Sequence, residues 1–178
     1  MSATRFIKEV IVSSGTAKVV VEDIFSSDFE IYHITFTNLK GTAGTYSDFR
    51  FVNEFGSEVT SSQYDDIKTQ IKSYQSPNQN STTNLDHIPD ILNLYSYTTA
   101  QGGSNCSGQL WVFNPYNSDR YTQLMGQGAL MNTNNNLIGT QERCIFTETS
   151  RVTGFVLYRA SGSDAYESLN IRVYGIGG

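Results

Sequence analysis

Charge is what this sequence has least of. Asp, Glu, Lys and Arg make up 16% of its 178 residues, against about 25% in an ordinary soluble domain. The twelve Lys and Arg stand singly and the formal net charge is -5, so no basic stripe follows a phosphate backbone, which argues against nucleic acid as a partner. Cysteine occurs twice, as Cys106 and Cys144. One bridge at most can form, and neither residue has a neighbouring cysteine or a framework spacing, so neither a disulfide scaffold nor a thiolate metal cluster is expected. Apolar residues between Met1 and Val12 are interrupted by Arg5, Lys8 and Glu9. That stretch predicts neither a signal peptide nor a membrane span, and release from a cell would depend on lysis. No internal repeat is visible.

In place of charge stand Ser, Thr, Asn, Gly and Tyr, the residues of turns and of flat, hydroxyl-rich β surfaces. The length suits one domain, residues 1–178, with a core that needs no staples. The chain's last stretch is its strongest strand signal. Val152 to Tyr158 is a β-branched and aromatic run, Ser161 to Asp164 supplies turn chemistry, and Leu169, Ile171 and Val173 alternate with Asn170, Arg172 and Tyr174. Two strands returning on each other are predicted, the last pairing beside the first strand of the chain.

Earlier segments repeat the pattern. Phe6 to Val12 and Ala17 to Val21 suggest two short strands around a tight turn at Ser13 to Gly15. From Phe29 to Leu39, Tyr32, Ile34 and Phe36 fall on one side and Ile31, His33, Thr35 and Thr37 on the other, giving a core face and a wetter face. A strand is expected over residues 47–55, marked by Phe49, Phe51 and Phe55. Residues 62–75 fit either period, and strand is preferred because their surroundings are strand. Gln75 to Asp90 is polar and reads as a long surface loop. Gln101 to Gly108 is a second, Gly- and Ser-rich loop, followed by strands at Gln109 to Pro115, Tyr121 to Met131 and Arg143 to Phe146. Roughly nine or ten strands at regular turn spacing predict an all-β fold, a single antiparallel β-sandwich of jelly-roll type.

Candidate chemistry is thin. Asp86, His87 and Asp90 could orient a base or hold a metal, but no third ligand stands at metal spacing and a solvated polar segment is preferred. Glu58, Asp65 and Asp66 lack the alternating oxygen ligands and tight Gly turn of a calcium loop. His33 is expected to be a half-buried pairing residue, since no nucleophile elbow is near it. Gly126-Gln127-Gly128 has no following Lys and no helix start, so it is not a phosphate loop. No catalytic, metal or cofactor-binding residue is therefore assigned. Aromatic residues suggest binding instead, because ring faces stack on sugars and on other proteins. Both faces of the Gln109 to Asn114 segment are apolar, so Trp111 is assigned to the core, and Tyr95, Tyr97, Tyr116 and Tyr121, beside loops, become the candidate contact surface.

Three segments together carry a resemblance: Gly108 to Pro115, ending Phe113-Asn114-Pro115; Thr153 to Tyr158; and Ser168 to Ile176, closing on Tyr174-Gly175-Ile176. This pattern resembles that of small jelly-roll virion proteins of tailed bacteriophages. It covers the second half of the chain, while the first half matches in strand rhythm only. The resemblance implies a non-enzymatic capsid decoration (cement) protein on the virion surface, present in host cytoplasm during assembly. It implies the major capsid protein and self, as homotrimer or homodimer, as partners. A tail fibre or appendage module that binds a glycan is the alternative, and a small β-sandwich hydrolase the third reading. The length leaves no room for a fibre shaft beside a sandwich, which favours the capsid.

Overall fold

The computed structural model of the chain describes residues 3–42, 47–59, 63–72, 80–85, 106–131, 137–159 and 165–177. Eleven strands occur there: β1 (Thr4–Thr16), β2 (Lys18–Val21), β3 (Ile31–Gly41), β4 (Ser47–Asn53), β5 (Tyr64–Lys72), β6 (Asn80–Leu85), β7 (Cys106–Phe113), β8 (Thr122–Met131), β9 (Leu137–Phe146), β10 (Val152–Arg159) and β11 (Tyr166–Ile176). No α-helix is found among the described residues. The strands form an eight-stranded sheet in the order β1-β11-β3-β7-β8-β9-β5-β6 and a three-stranded sheet in the order β2-β10-β4, every pair antiparallel. The chain is all-β, as its sequence predicts.

The two sheets meet through aromatic side chains. Alternation on β3 sends Tyr32, Ile34 and Phe36 inward, each fully buried. They join Leu169, Ile171 and Val173 of β11 and Leu110 and Val112 of β7 in one hydrophobic core. From the smaller sheet, Phe155 meets Phe36 edge-on at 6.4 Å and stacks on Phe49 at 5.1 Å. Phe51 of β4 reaches across to Tyr64 of β5 and Phe146 of β9, at 6.2 and 5.6 Å. The Tyr64 hydroxyl accepts the Phe51 N–H at 2.9 Å, which satisfies a polar atom inside the apolar layer. Each such ring contributes about 1.5–3 kcal/mol of burial. Within the smaller sheet the close approach of β2 fixes Gly154 on β10, where any Cβ would stand 2.2 Å from the Val21 carbonyl oxygen.

Several predicted details change. Ser13 to Gly15 is not a hairpin turn: β1 continues through it, with a register shift between Ser13 and Thr16 and Gly15 at φ 90°. That left-handed glycine lets the chain leave one sheet, since β2 belongs to the other. The last two strands exist but do not pair. β10 lies in the small sheet and β11 in the large one, so the chain crosses between layers, while the Ser161 to Asp164 turn lies outside the described residues. β11 does pair with β1, Thr4 opposite Ile176, as expected for first and last strands. β4 stops at Asn53, whose side-chain oxygen accepts the N–H groups of Phe55 and Ser57 at 3.0 and 2.9 Å, so Phe55 sits in a turn. Residues 64–72 are strand, as preferred, and the polar segment expected to be loop contains β6, whose backbone pairs with β5. An edge strand needs no apolar sequence to form a ladder on one side. Tyr95, Tyr97, Asp86, His87 and Asp90 lie outside the described residues.

Candidate functional site

Alternation that fills the core also dictates what the large sheet shows on its other face. His33, between the buried Tyr32 and Ile34, points outward and stands opposite Trp111 of β7 and Tyr174 of β11. Trp111 stands opposite Met125 of β8, Met125 opposite Arg143 of β9, and Arg143 opposite Ile67 of β5. At the far edge Tyr174 faces Phe6 of β1. One row thus crosses seven strands, about 29 Å at the usual strand spacing. Next to it runs a second row in which Ile176 faces Ile31, Ile31 faces Phe113, and Gln123 faces Ile145.

Most of this belt is apolar and open. Phe6, Met125, Ile67 and Ile145 are 54%, 40%, 52% and 41% exposed. Among the described residues, no second layer lies over this face. The rings are ordered against one another: His33 stacks on Trp111 at 4.3 Å and 19°, and Phe6 meets Tyr174 edge-on at 5.8 Å. His33 also holds Gln109, with Nε2 at 2.8 Å from Oε1. An Arg172–Glu9 contact of 2.8 Å braces β11 against the edge strand. Together the two rows span on the order of 300 Å² of sheet, apolar except at His33, Arg143 and Gln123, and exposed apolar patches of a few hundred Å² are often functional.

Trp111 is therefore not a core residue, contrary to the sequence reading. Leu110 and Val112 are 2% and 0% exposed and take the inward face, so alternation leaves Trp111 outside, half-buried among its cross-strand neighbours. The signal was Gln109, two residues earlier on the same face and polar. His33 has its predicted half-buried pairing role.

Beyond Trp111's row the face changes character. Thr35 stands opposite Gln109, Gln109 opposite Gln127, and Gln127 opposite Gln141. The following row is small: Ser107 faces Ala129, and Ala129 faces Gly139. These residues line a trough of about 760 Å³. A smaller hollow of about 190 Å³ adjoins it, shares Gln127 and Gln141, and is lined also by Trp111, Met125 and Arg143.

The other candidates do not converge on these features. Tyr116 is partly buried under the Arg151 guanidinium, 5.4 Å from its ring centre. Tyr121 is 51% exposed and precedes β8 at the end of the sheet that the belt occupies. Tyr95 and Tyr97 fall outside the described residues, so nothing joins them to this pair. Glu58 is drawn to the small sheet by Lys18 at 2.5 Å and by Arg50 at 3.7 Å, away from a shared site with Asp65 and Asp66. Asp65 and Asp66, as neighbours on a strand, point to opposite faces. No group of three His, Cys, Asp or Glu able to hold a metal is present among the described residues.

No family model matches the chain, and no curated protein does. Chemistry must therefore be read from the groups themselves. Cys106 and Cys144 are free and buried. Burial pushes the Cys106 thiol up to about 12, and Cys144 rises too, first through burial and then through Glu142, Asp66 and Asp65. Neither is a thiolate at neutral pH, so neither is a nucleophile. What the described surface offers is contact area with fixed rings.

Proposed function

We propose that this is a non-enzymatic virion structural protein, a capsid decoration subunit that associates with itself and with the major capsid protein. The observation that carries the reading is the apolar belt from Phe6 to Ile67 across the open face of the eight-stranded sheet. A monomer with no partner gains nothing from Phe6, Met125 and Ile67 in water, whereas a subunit that docks there converts their burial into binding free energy. Specific contacts of this kind bury about 1,200–2,000 Å² in total, so the belt forms the apolar centre and its polar borders the rim. Seated where capsomers meet, such contacts raise the free energy needed to separate them.

Strand wiring supports a jelly-roll reading of the fold. β1 pairs with β11, β2 with β10 and β3 with β7, as when a long hairpin is rolled up with its successive arms sent to alternate sheets. β8 and β9 are then an insertion between β7 and β10 that widens one sheet. The resemblance of Gly108–Pro115 and Ser168–Ile176 to phage virion proteins points the same way.

The test is to compare phage particles carrying the wild-type protein with particles carrying Phe6→Ser or Met125→Glu. Weakened attachment of the variants and DNA release at lower temperature, with unchanged adsorption to cells, are expected. Intact particle stability with lost adsorption would instead assign the protein to a tail appendage.

A further inference from the structure

We propose that the trough beside the belt is a binding site for a neutral saccharide. This goes beyond the assembly reading and is independent of it. The belt lies toward the Ile31 and Phe113 end of the strands, and the trough toward the Thr37 and Ser107 end.

Its shape follows from the sequence of three central strands. Ser107, Ala129 and Gly139 give a low floor, and a Cβ added at Gly139 would meet nothing within 4 Å. The resulting trough, about 760 Å³, lies within the range of about 300–1,000 Å³ typical of small-ligand sites. A chain of a few sugar rings fits that volume better than a single ring.

The lining decides the class of ligand. None of the trough's own residues is ionisable, so nothing in it neutralises a phosphate, sulfate or carboxylate, and in the adjoining hollow Arg143 is accompanied by Glu142. Three amides, Gln109, Gln127 and Gln141, stand in register across β7, β8 and β9, and Thr35 extends the row onto β3. An amide has both a donor and an acceptor end, and a hydroxyl is both at once, which matches the dual character of sugar hydroxyls. Gln109 is already oriented. His33 Nε2 stands 2.8 Å from Gln109 Oε1, and with Nε2 protonated the imidazole donates there and leaves the Gln109 NH₂ as the group offered to a ligand. The same imidazole stacks on Trp111 at 4.3 Å and fixes the indole that lines the adjoining hollow. An indole face is a platform for the C–H surface of a sugar ring, so the combination supplies apolar stacking beside a line of polar contacts.

Trp111 is the one tryptophan in the sequence, so intrinsic fluorescence reports on the site directly. The full chain is titrated with neutral hexasaccharides of glucose, galactose, mannose and N-acetylglucosamine, and with a heparin hexasaccharide as the acidic comparison. Backbone amide NMR shifts are followed in parallel. At least one neutral probe is expected to change Trp111 emission and shift the amides of Gln109, Gln127 and Gln141. Gln127→Ala with Gln141→Ala should weaken that binding at least tenfold, and Ala129→Phe, which fills the floor, should abolish it. Phe6→Ser should leave it at wild-type strength, so this result and failure of the assembly reading are separable. Binding of heparin alone, binding that survives Ala129→Phe in a variant whose NMR spectrum is otherwise native, or no response to any neutral probe would each overturn the proposal.

Discussion

Replacing Phe6 by Ser tests the belt at its most exposed end. Phe6 is 54% exposed and meets only the edge of the Tyr174 ring among aromatic neighbours. A Phe side chain carries about 200 Å² of surface, so association through this face buries about 100 Å² at Phe6 that Ser does not supply. At about 25 cal/mol per Å² that is about 2.5 kcal/mol, or roughly 70-fold in the association constant for each copy of Phe6 at an interface. Stability of the subunit should fall too, by about 2 kcal/mol, because about 90 Å² of the ring is already covered within the subunit. Sedimentation velocity over a concentration series reads the first quantity and chemical denaturation the second. Val20→Ser is the control, because Val20 is 44% exposed on the smaller sheet and outside the belt. Equal sedimentation of wild type and Phe6→Ser, with Val20→Ser shifting association instead, would refute the belt as the contact surface.

Two further outcomes follow from the core. Phe51→Ala removes the ring that joins β4 to Tyr64 and Phe146, and should cost about 3–5 kcal/mol in denaturant unfolding; a loss below 1 kcal/mol would mean the sheets are not joined there. Stability should also fall at alkaline pH. Burial holds the Tyr166 hydroxyl protonated up to about 12 against its ordinary 10.0, and Cys106 up to about 12 against 9.0. Between those values the unfolded chain has given up protons that the native state keeps, so each group's contribution is fully present below its unfolded value, 9.0 for Cys106 and 10.0 for Tyr166, and is lost above it at on the order of 1 kcal/mol per pH unit. Urea midpoints at pH 8 and at pH 11 measure the drop, and equal midpoints contradict it.

The fold was legible wherever one strand carried its own answer. Tyr32, Ile34 and Phe36 against His33, Thr35 and Thr37 state both faces of β3 without reference to any neighbour. β7 does not, because Trp111 and Phe113 are as apolar as Leu110 and Val112, and only its partners decide which pair is covered. Whether Val152–Arg159 and Tyr166–Ile176 pair with each other or lie in separate layers was equally hidden, since a turn and a crossover begin with the same Gly and Ser residues. The candidate site was less legible still. Gln109, Gln127 and Gln141 are far apart in the chain and become one row through register alone. Loop tyrosines drew attention because they stand out singly, yet Tyr116 is occupied by Arg151.

A comparison within the open face separates design from accident. Among the described residues nothing covers one side of the sheet, and a face shaped only by solubility would carry Thr, Gln and Lys from end to end. The row through Gln109, Gln127 and Gln141 is of that kind. Two residues away on the same strands and the same face stand Trp111, Met125 and Arg143, and beyond them Phe113, Gln123 and Ile145. Strand propensity cannot account for the difference, because Met and Gln are both indifferent strand formers and alternate here on one strand. Apolar surface is thus concentrated at one end of the face, with the exposed Ile11 of β1 the exception. β8, β9 and β5 carry the row beyond β7, where it would otherwise stop at Trp111, to Met125, Arg143 and Ile67. Widening the sheet lengthens its open outer row, which the proposed assembly would bury.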